Sequence, residues 1–340
     1  MAVLKKILIG LVVLVLVGLG VGVLLPSHQT VQRSAVFDAK PAAVYAYLNG
    51  YHHFNEWSPW AELDPNAQYT VEGPPIGVGA KQSWASKDPN VGSGSQEIVE
   101  VKPYSLVQAK LMFGGWDGVS LVSFIIAPEG QGTRLTWSMD SDLGKSPVNH
   151  WFGVFLDKMV GKDYDKGLAN LKPRLEALPK DEIEGIELTL AKTEAAPYLF
   201  VSDSAATDQA SAKLAAAYGR IKAFIQGNGI KQAAPPIALT RSYDEKTSIW
   251  EFDAGIPIGP GTPPAPADIG IQMGQTYAGY SLRATHVGPY TAMQPSYAKL
   301  MAYKTAAGLK DAAGAWEQYV SDAANTPPEK LVTQIYWPVK

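Results

Sequence analysis

The residues best suited to chemistry in this chain are Glu317 and Tyr319, within Trp316-Glu317-Gln318-Tyr319-Val320. The run reads as a strand, whose alternation sends Glu317 and Tyr319 to one face and Trp316, Gln318 and Val320 to the other. A carboxylate can orient or deprotonate water while a phenol protonates or polarises a leaving atom. The same i, i+2 spacing is frequent on strands, so a solvated strand glutamate without chemistry is the competing reading. Other constellations are weaker. His52, His53 and Glu56 could suggest half of a metal site, but adjacent histidines point to different sides and no third ligand is near in sequence, so a surface or packing role is expected. The Gly73–Lys81 run GPPIGVGAK lacks the Gly-Lys-Ser/Thr ending of a phosphate loop, and Ser93 lacks the flanks of a nucleophile elbow. The chain has no cysteine, which excludes thiolate nucleophiles, disulfides and zinc sites built on sulfur. No metal and no cofactor is expected.

An internal duplication must position Glu317 and Tyr319. Tyr218, Ile221, Phe224, Gly229, Ile230, Lys231, Ala233 and Ala234 recur as Tyr297, Leu300, Tyr303, Gly308, Leu309, Lys310, Ala312 and Ala313, all displaced by 79 positions. Upstream, Thr193, Pro197 and Tyr198 recur as Thr285, Pro289 and Tyr290. Downstream, Ile256-Pro257-Ile258 recurs as Trp337-Pro338-Val339. Each copy carries one amphipathic helix, at 210–226 or 293–307, with strands on either side. Two such units are predicted to share a sheet and enclose a cleft on a pseudo-two-fold axis. At the same offset Glu317 corresponds to Ala238 and Tyr319 to Thr240, an asymmetry that scaffold needs alone explain poorly.

The preceding half reads differently. Ile7 to Leu25 is nineteen consecutive apolar or glycine positions, a helix of about 28 Å against a hydrocarbon core of about 30 Å. Lys5 and Lys6 precede it and no Lys or Arg follows until Arg33, so the positive-inside rule puts the N-terminus in the cytoplasm and the rest outside. A cleaved signal peptide is the alternative, although the run is long for one and no Ala-x-Ala site follows. Then come a strand at 31–36, a Pro41-initiated helix, six strand-like runs between 69 and 139 joined by turn signals, and a long helix opened by Ser146 and Pro147. Val148, Phe152, Phe155, Met159, Tyr164, Leu168, Leu171 and Leu175 are predicted to place one apolar face on that sheet. The clustered Trp57, Trp60 and Trp84 suit either its core or a cavity mouth. With 29 basic against 32 acidic residues and a net charge of −3 over 340 residues, nucleic acid is not an expected partner.

Residues 31–178 resemble the START-like (SRPBCC) superfamily of the polyketide cyclase and dehydrase type, on FDAKPAAVYAYL at Phe37–Leu48 and FNEWSPW at Phe54–Trp60. That resemblance implies a deep apolar cavity between helix and sheet, and carries over no catalytic residue. Residues 183–340 resemble the GyrI-like effector-binding domain, on THVGPYTAMQPSYAKLMAY at Thr285–Tyr303, WEQYV at Trp316–Val320, QIYWPV at Gln334–Val339 and WEFDAGIPI from Trp250. It implies that Glu317 lies at the floor of an aromatic pocket for cationic, hydrophobic ligands. Tyr319 is a candidate ligand contact beside it, and Trp250, Tyr198, Tyr290, Tyr336 and Trp337 are candidate wall residues for which, judged singly, a place in the plain core is the competing reading. The resemblance also implies the alternative of a hydrolase, using Glu317 and Tyr319 on electrophilic small molecules; a cyclase belongs to the same enzymatic alternative.

The expected chain is therefore α+β: an N-terminal transmembrane helix at 1–27, a helix-grip antiparallel sheet with a long C-terminal helix at 30–179, and a duplicated α+β domain with pseudo-two-fold symmetry at 183–340. Its repeat units are 183–258 and 276–340, and the seam lies at Lys180-Asp181-Glu182. The expected protein is bacterial, held in the inner membrane by a single pass with its domains exported, and binds hydrophobic or cationic small molecules in two cavities. A transcription-related sensor is a further alternative, against which stands the lack of a basic helix pair.

Overall fold

The computed structural model describes residues 2–115, 118–178, 180, 183–206, 208–262 and 269–340. Two residues of the expected seam, Asp181 and Glu182, lie outside them. The chain divides into two compact units, one built on residues 1–180 and the other on residues 181–305 and 309–340.

The first unit opens with helix α1 (Ala2–Leu24), apolar from Ile7 onward, and strand β1 (His28–Phe37). Three short helices follow: α2 (Pro41–Leu48), α3 (Phe54–Trp57) and α4 (Pro59–Leu63). Pro41 and Pro59 sit at the first helical turn, where a missing N–H costs nothing. Strands β2 (Gln68–Glu72), β3 (Lys81–Ala85), β4 (Ser93–Lys102), β5 (Leu106–Phe113), β6 (Val119–Glu129) and β7 (Gly132–Asp142) form a meander, and β1 closes on β7. The seven-stranded order is β1-β7-β6-β5-β4-β3-β2, antiparallel throughout. Helix α5 (Pro147–Glu176) packs on it.

The apolar face predicted for α5 is two faces. Tyr164, Leu168, Leu171 and Leu175 are buried, but Val148, Phe152, Phe155 and Met159 are exposed. The step from 159 to 164 is five residues, which at about 100° each turns the stripe by about 140°. In the first half His150, Gly153 and Leu156 are buried instead. Ser146 does occupy the N-cap, though without a side-chain capping bond.

Rings fill the interior between α5 and the sheet. Trp137 stacks on Tyr164 with centroids 3.8 Å apart, and Trp57 meets Trp137 and Phe124 edge-on. Gly167 permits this, because a Cβ there would lie 2.6 Å from the Trp137 ring. The void lined by Tyr47, Tyr51, Trp57, Gln96 and Phe124 has a volume of about 10 Å³, room for one water. Trp57 and Trp137, each 2% exposed, stand between α5 and the sheet, in the place expected for the deep cavity.

The second unit comprises β8 (Glu187–Thr193), β9 (Pro197–Ala206), α6 (Ala210–Gly227), β10 (Ile237–Asp244), β11 (Ile249–Pro257), β12 (Gln272–Gln275), β13 (Gly279–Val287), α7 (Gln294–Ala306), β14 (Trp316–Tyr319) and β15 (Val332–Pro338). Its eight-stranded order is β12-β9-β11-β10-β14-β15-β13-β8. The inner six strands read β9-β11-β10 and, reversed, β14-β15-β13, so each copy contributes strand, helix, strand, strand around a pseudo-two-fold axis between β10 and β14. Ala238 pairs directly with Glu317, and these two residues are equivalent under the 79-residue repeat. The axis therefore passes through that pair.

Candidate functional site

Cross-strand pairing sets Glu317 in a row that runs Ala254, Ala238, Glu317, Ile335, Ala284 across the middle of the sheet. The other four are 0% exposed and Glu317 is 8% exposed. One carboxylate is thus set among methyl and isobutyl-sized groups, where it cannot keep its hydration. Helices α6 and α7 flank the space above it. There the fold leaves a cavity of about 1470 Å³, lined by α6, α7, the central strands and their loops.

Two phenols hold the carboxylate. Tyr297 on α7 donates to Glu317 Oε1 at 2.7 Å, and Tyr319 donates to Oε2 at 2.5 Å. Tyr319 in turn meets Tyr290 edge-on at 5.2 Å and Tyr218 at 6.3 Å. Burial pushes the Glu317 carboxyl above its ordinary 4.5, against the opposing pull of the two phenol bonds and of His286. Burial and the neighbouring Glu317 charge raise Tyr218, Tyr297 and Tyr319 well above 10.0. These phenols stay protonated and can only donate to the acid. The site is a desolvated carboxyl group whose hydrogen-bond partners are neutral, within a wall of aromatic faces; in its ionised form such a group suits a cation.

Five of the seven residues singled out in the sequence line this cavity: Glu317, Tyr319, Trp250, Tyr290 and Trp337. Trp250 is fixed by Nε1 donating to Thr240 Oγ1 at 3.0 Å, and Trp337 by Nε1 donating to Asp311 Oδ1 at 2.6 Å. The other two are on the far face of the sheet. Tyr198 packs with Ile237 and Trp316, and Tyr336 stacks on Trp316 at 4.8 Å. Strand alternation requires this: Tyr336 and Trp337 are neighbours and cannot share a face, and Tyr198 precedes Leu199, which points to the helices. Sequence reasoning did not assign Tyr297 and Tyr218 to the site. Both stand in the 79-residue repeat at equivalent places, and that was the available signal: Tyr218 donates to the Ile237 carbonyl at 2.8 Å where Tyr297 reaches the acid. The difference follows from Ala238 standing where the second copy has Glu317.

His53, considered above for a metal, lies in the first unit, stacked on Tyr47 and hydrogen-bonded to Glu56 at 2.9 Å. Among the described residues no group of three or more His, Asp or Glu is arranged to hold a metal ion.

Comparison with known proteins gives the following. Residues 28–176 match the family described as polyketide cyclase / dehydrase and lipid transport, and residues 192–340 match the GyrI-like small molecule binding domain. No curated protein matches the chain. Similar solved structures include the EcmrR C-terminal domain, with 16% identity, 46% of this chain and 98% of that chain covered, and a TM-score of 0.41. A hydrolase encoded by lin2189 from Listeria innocua has 15% identity over 45% of this chain and 92% of that chain, with a TM-score of 0.34. The Aha1 dimer from Colwellia psychrerythraea has 14% identity over 44% and 96%, with a TM-score of 0.32. Behind an apolar N-terminal helix, the chain thus joins a domain of the polyketide cyclase / dehydrase and lipid transport family to a GyrI-like small-molecule-binding domain.

Proposed function

We propose that the second domain is a receptor for a lipophilic cation, held over Glu317 between the tyrosines and tryptophans of α6, α7 and the central strands. We further propose that α1 tethers it to the inner membrane with both domains on the outer side. The observation that carries the ligand class is the desolvated Glu317 carboxylate, whose partners are two phenols. A bound cation would supply the counter-charge that the fold withholds, and aromatic faces add attraction to it. A cavity of about 1470 Å³ exceeds the usual range of about 300–1,000 Å³ for small-molecule sites, so a bulky, multi-ring molecule fits the reading best. Calorimetric titration of the chain lacking residues 1–27 with a lipophilic cationic dye and with a neutral dye of the same shape tests it. Saturable binding of the cation but only weak binding of the neutral analogue is expected; equal affinities would refute the claim. Topology is tested separately: a phosphatase fused after Lys340 should be active only if the C-terminus is outside the cytoplasm.

One observation favours hydrolysis as a second reading: a carboxyl raised above its ordinary value and touching two protonated phenols has the form of an acid–base set. Incubation with reactive electrophiles followed by mass spectrometry separates the two. Turnover that Glu317→Ala abolishes would make the site catalytic, and turnover equal to that control would leave it a receptor.

A further inference from the structure

Helix α5 begins against α1. Gly22 of α1 faces it so closely that a Cβ there would lie 2.5 Å from the Pro147 carbonyl oxygen. His150 Nδ1 hydrogen-bonds the Gly22 carbonyl at 2.8 Å, and the Trp151 indole donates to the Gly18 carbonyl at 2.8 Å. Gly18 and Gly22 are four apart and share one helix face, the small-residue spacing that lets helices approach in lipid. Gly18 lies six residues before Leu24, the last residue of α1, hence about 9 Å below the end of the helix at 1.5 Å per residue. If α1 crosses a bilayer, the first turns of α5 are carried down with it.

Those turns are composed for that depth. Pro147 to Leu156 reads PVNHWFGVFL, without Asp, Glu, Lys or Arg. Val148 is 63% exposed and Phe155 54%, and Val154 and Met159 are also exposed, so the stripe does not serve the core of its own domain. A second apolar group lies at the same end of the sheet. The register pairs Gln29 with Ser141 and Ser141 with Ser120, and the β5–β6 pair begins at Val119 and Met112. Met112, Phe113 and Val119, all exposed, therefore stand where the chain enters from α1.

We propose that the first three turns of α5, with Met112, Phe113 and Val119, lie in the outer interfacial layer of the bilayer that α1 crosses, so that the first domain rests on the lipid. The proposal depends on reading α1 as a membrane span. Interfacial helices sink about 5–10 Å into the headgroup and acyl boundary, and tryptophan favours that layer. The depth worked out for Gly18, whose carbonyl the Trp151 indole bonds, falls within it when measured from the end of α1.

The absence of cysteine makes the test direct. Single substitutions Leu14→Cys, Val148→Cys, Phe155→Cys, Phe113→Cys and Gln131→Cys are spin-labelled in the full chain, reconstituted in phosphatidylcholine/phosphatidylglycerol vesicles. Collision with oxygen is compared with collision with a water-soluble nickel chelate. The expected result is an oxygen-to-nickel ratio highest at 14, intermediate at 148, 155 and 113, and several-fold lower at the exposed position 131, in the β6–β7 turn at the opposite end of the sheet. Ratios at 148 and 155 equal to that at 131, with 14 in lipid, overturn the proposal and leave the anchor standing. An aqueous label at 14 overturns both. Spin–spin broadening at 148 and 155 without oxygen preference would mean that a second copy covers the stripe, which also overturns it.

Discussion

Replacing Glu317 by glutamine separates charge from shape. Glutamine keeps the volume and leaves one acceptor for a phenol, while the other phenol can accept from the new amide. What disappears is the charge. A charge-assisted contact to a bound cation is worth about 2 kcal/mol, so affinity for a lipophilic cation should fall about 30-fold, with little change for a neutral analogue. The unliganded protein should respond in the opposite direction. Burial raises the Glu317 carboxyl above 4.5, so the folded state keeps a proton that the unfolded chain has released, and stability falls as pH rises from 4.5 through the folded-state value. Glu317→Gln removes that decline: urea unfolding should give equal stabilities below pH 4.5 and a more stable variant at pH 7. Calorimetry with the ligand pair and denaturation across pH 4–8 read the two effects. A variant that loses both ligands equally, or that is less stable than the parent at pH 7, would refute the account of Glu317 as a desolvated anion awaiting a cation.

Further tests address the surroundings of the acid. Tyr297→Phe leaves Glu317 Oε1 without its buried donor and should cost about 1.5–3 kcal/mol at neutral pH, falling to a smaller loss in a Glu317→Gln background; chemical denaturation of the four-member cycle measures both. Ala238→Glu installs a second acid directly across the axis from the first, at a position 0% exposed. It should destabilise by more than about 3 kcal/mol at pH 7 and by less at pH 4, because two adjacent carboxylates cannot both ionise without solvent. In the first domain Gly167→Ala drives a methyl group into the Trp137 ring and should cost about 1–3 kcal/mol, read as a lowered Tm and a changed near-ultraviolet tryptophan signal.

The sequence by itself determined the element order, the duplication and the strand face that Glu317 shares with Tyr319. These are statements about period and spacing: Glu317 and Tyr319 alternate with Trp316 and Gln318 whatever the strand pairs with, and the 79-residue offset survives any arrangement of the copies. Tertiary structure decided which side of the sheet carries the cavity. Tyr198 and Tyr336 were as aromatic as Tyr290 and Trp337, but strand register turned them to the far face, against Trp316. It decided that Tyr297, visible only as a repeat position, would reach the acid while its twin Tyr218 bonds a backbone carbonyl. It also split the α5 stripe and buried Trp57 and Trp137 between that helix and the sheet. The physical reason is common to all of these. Periodicity along a chain says which residues share a face, but what covers that face, and whether space is left, depends on side chains brought together from distant positions.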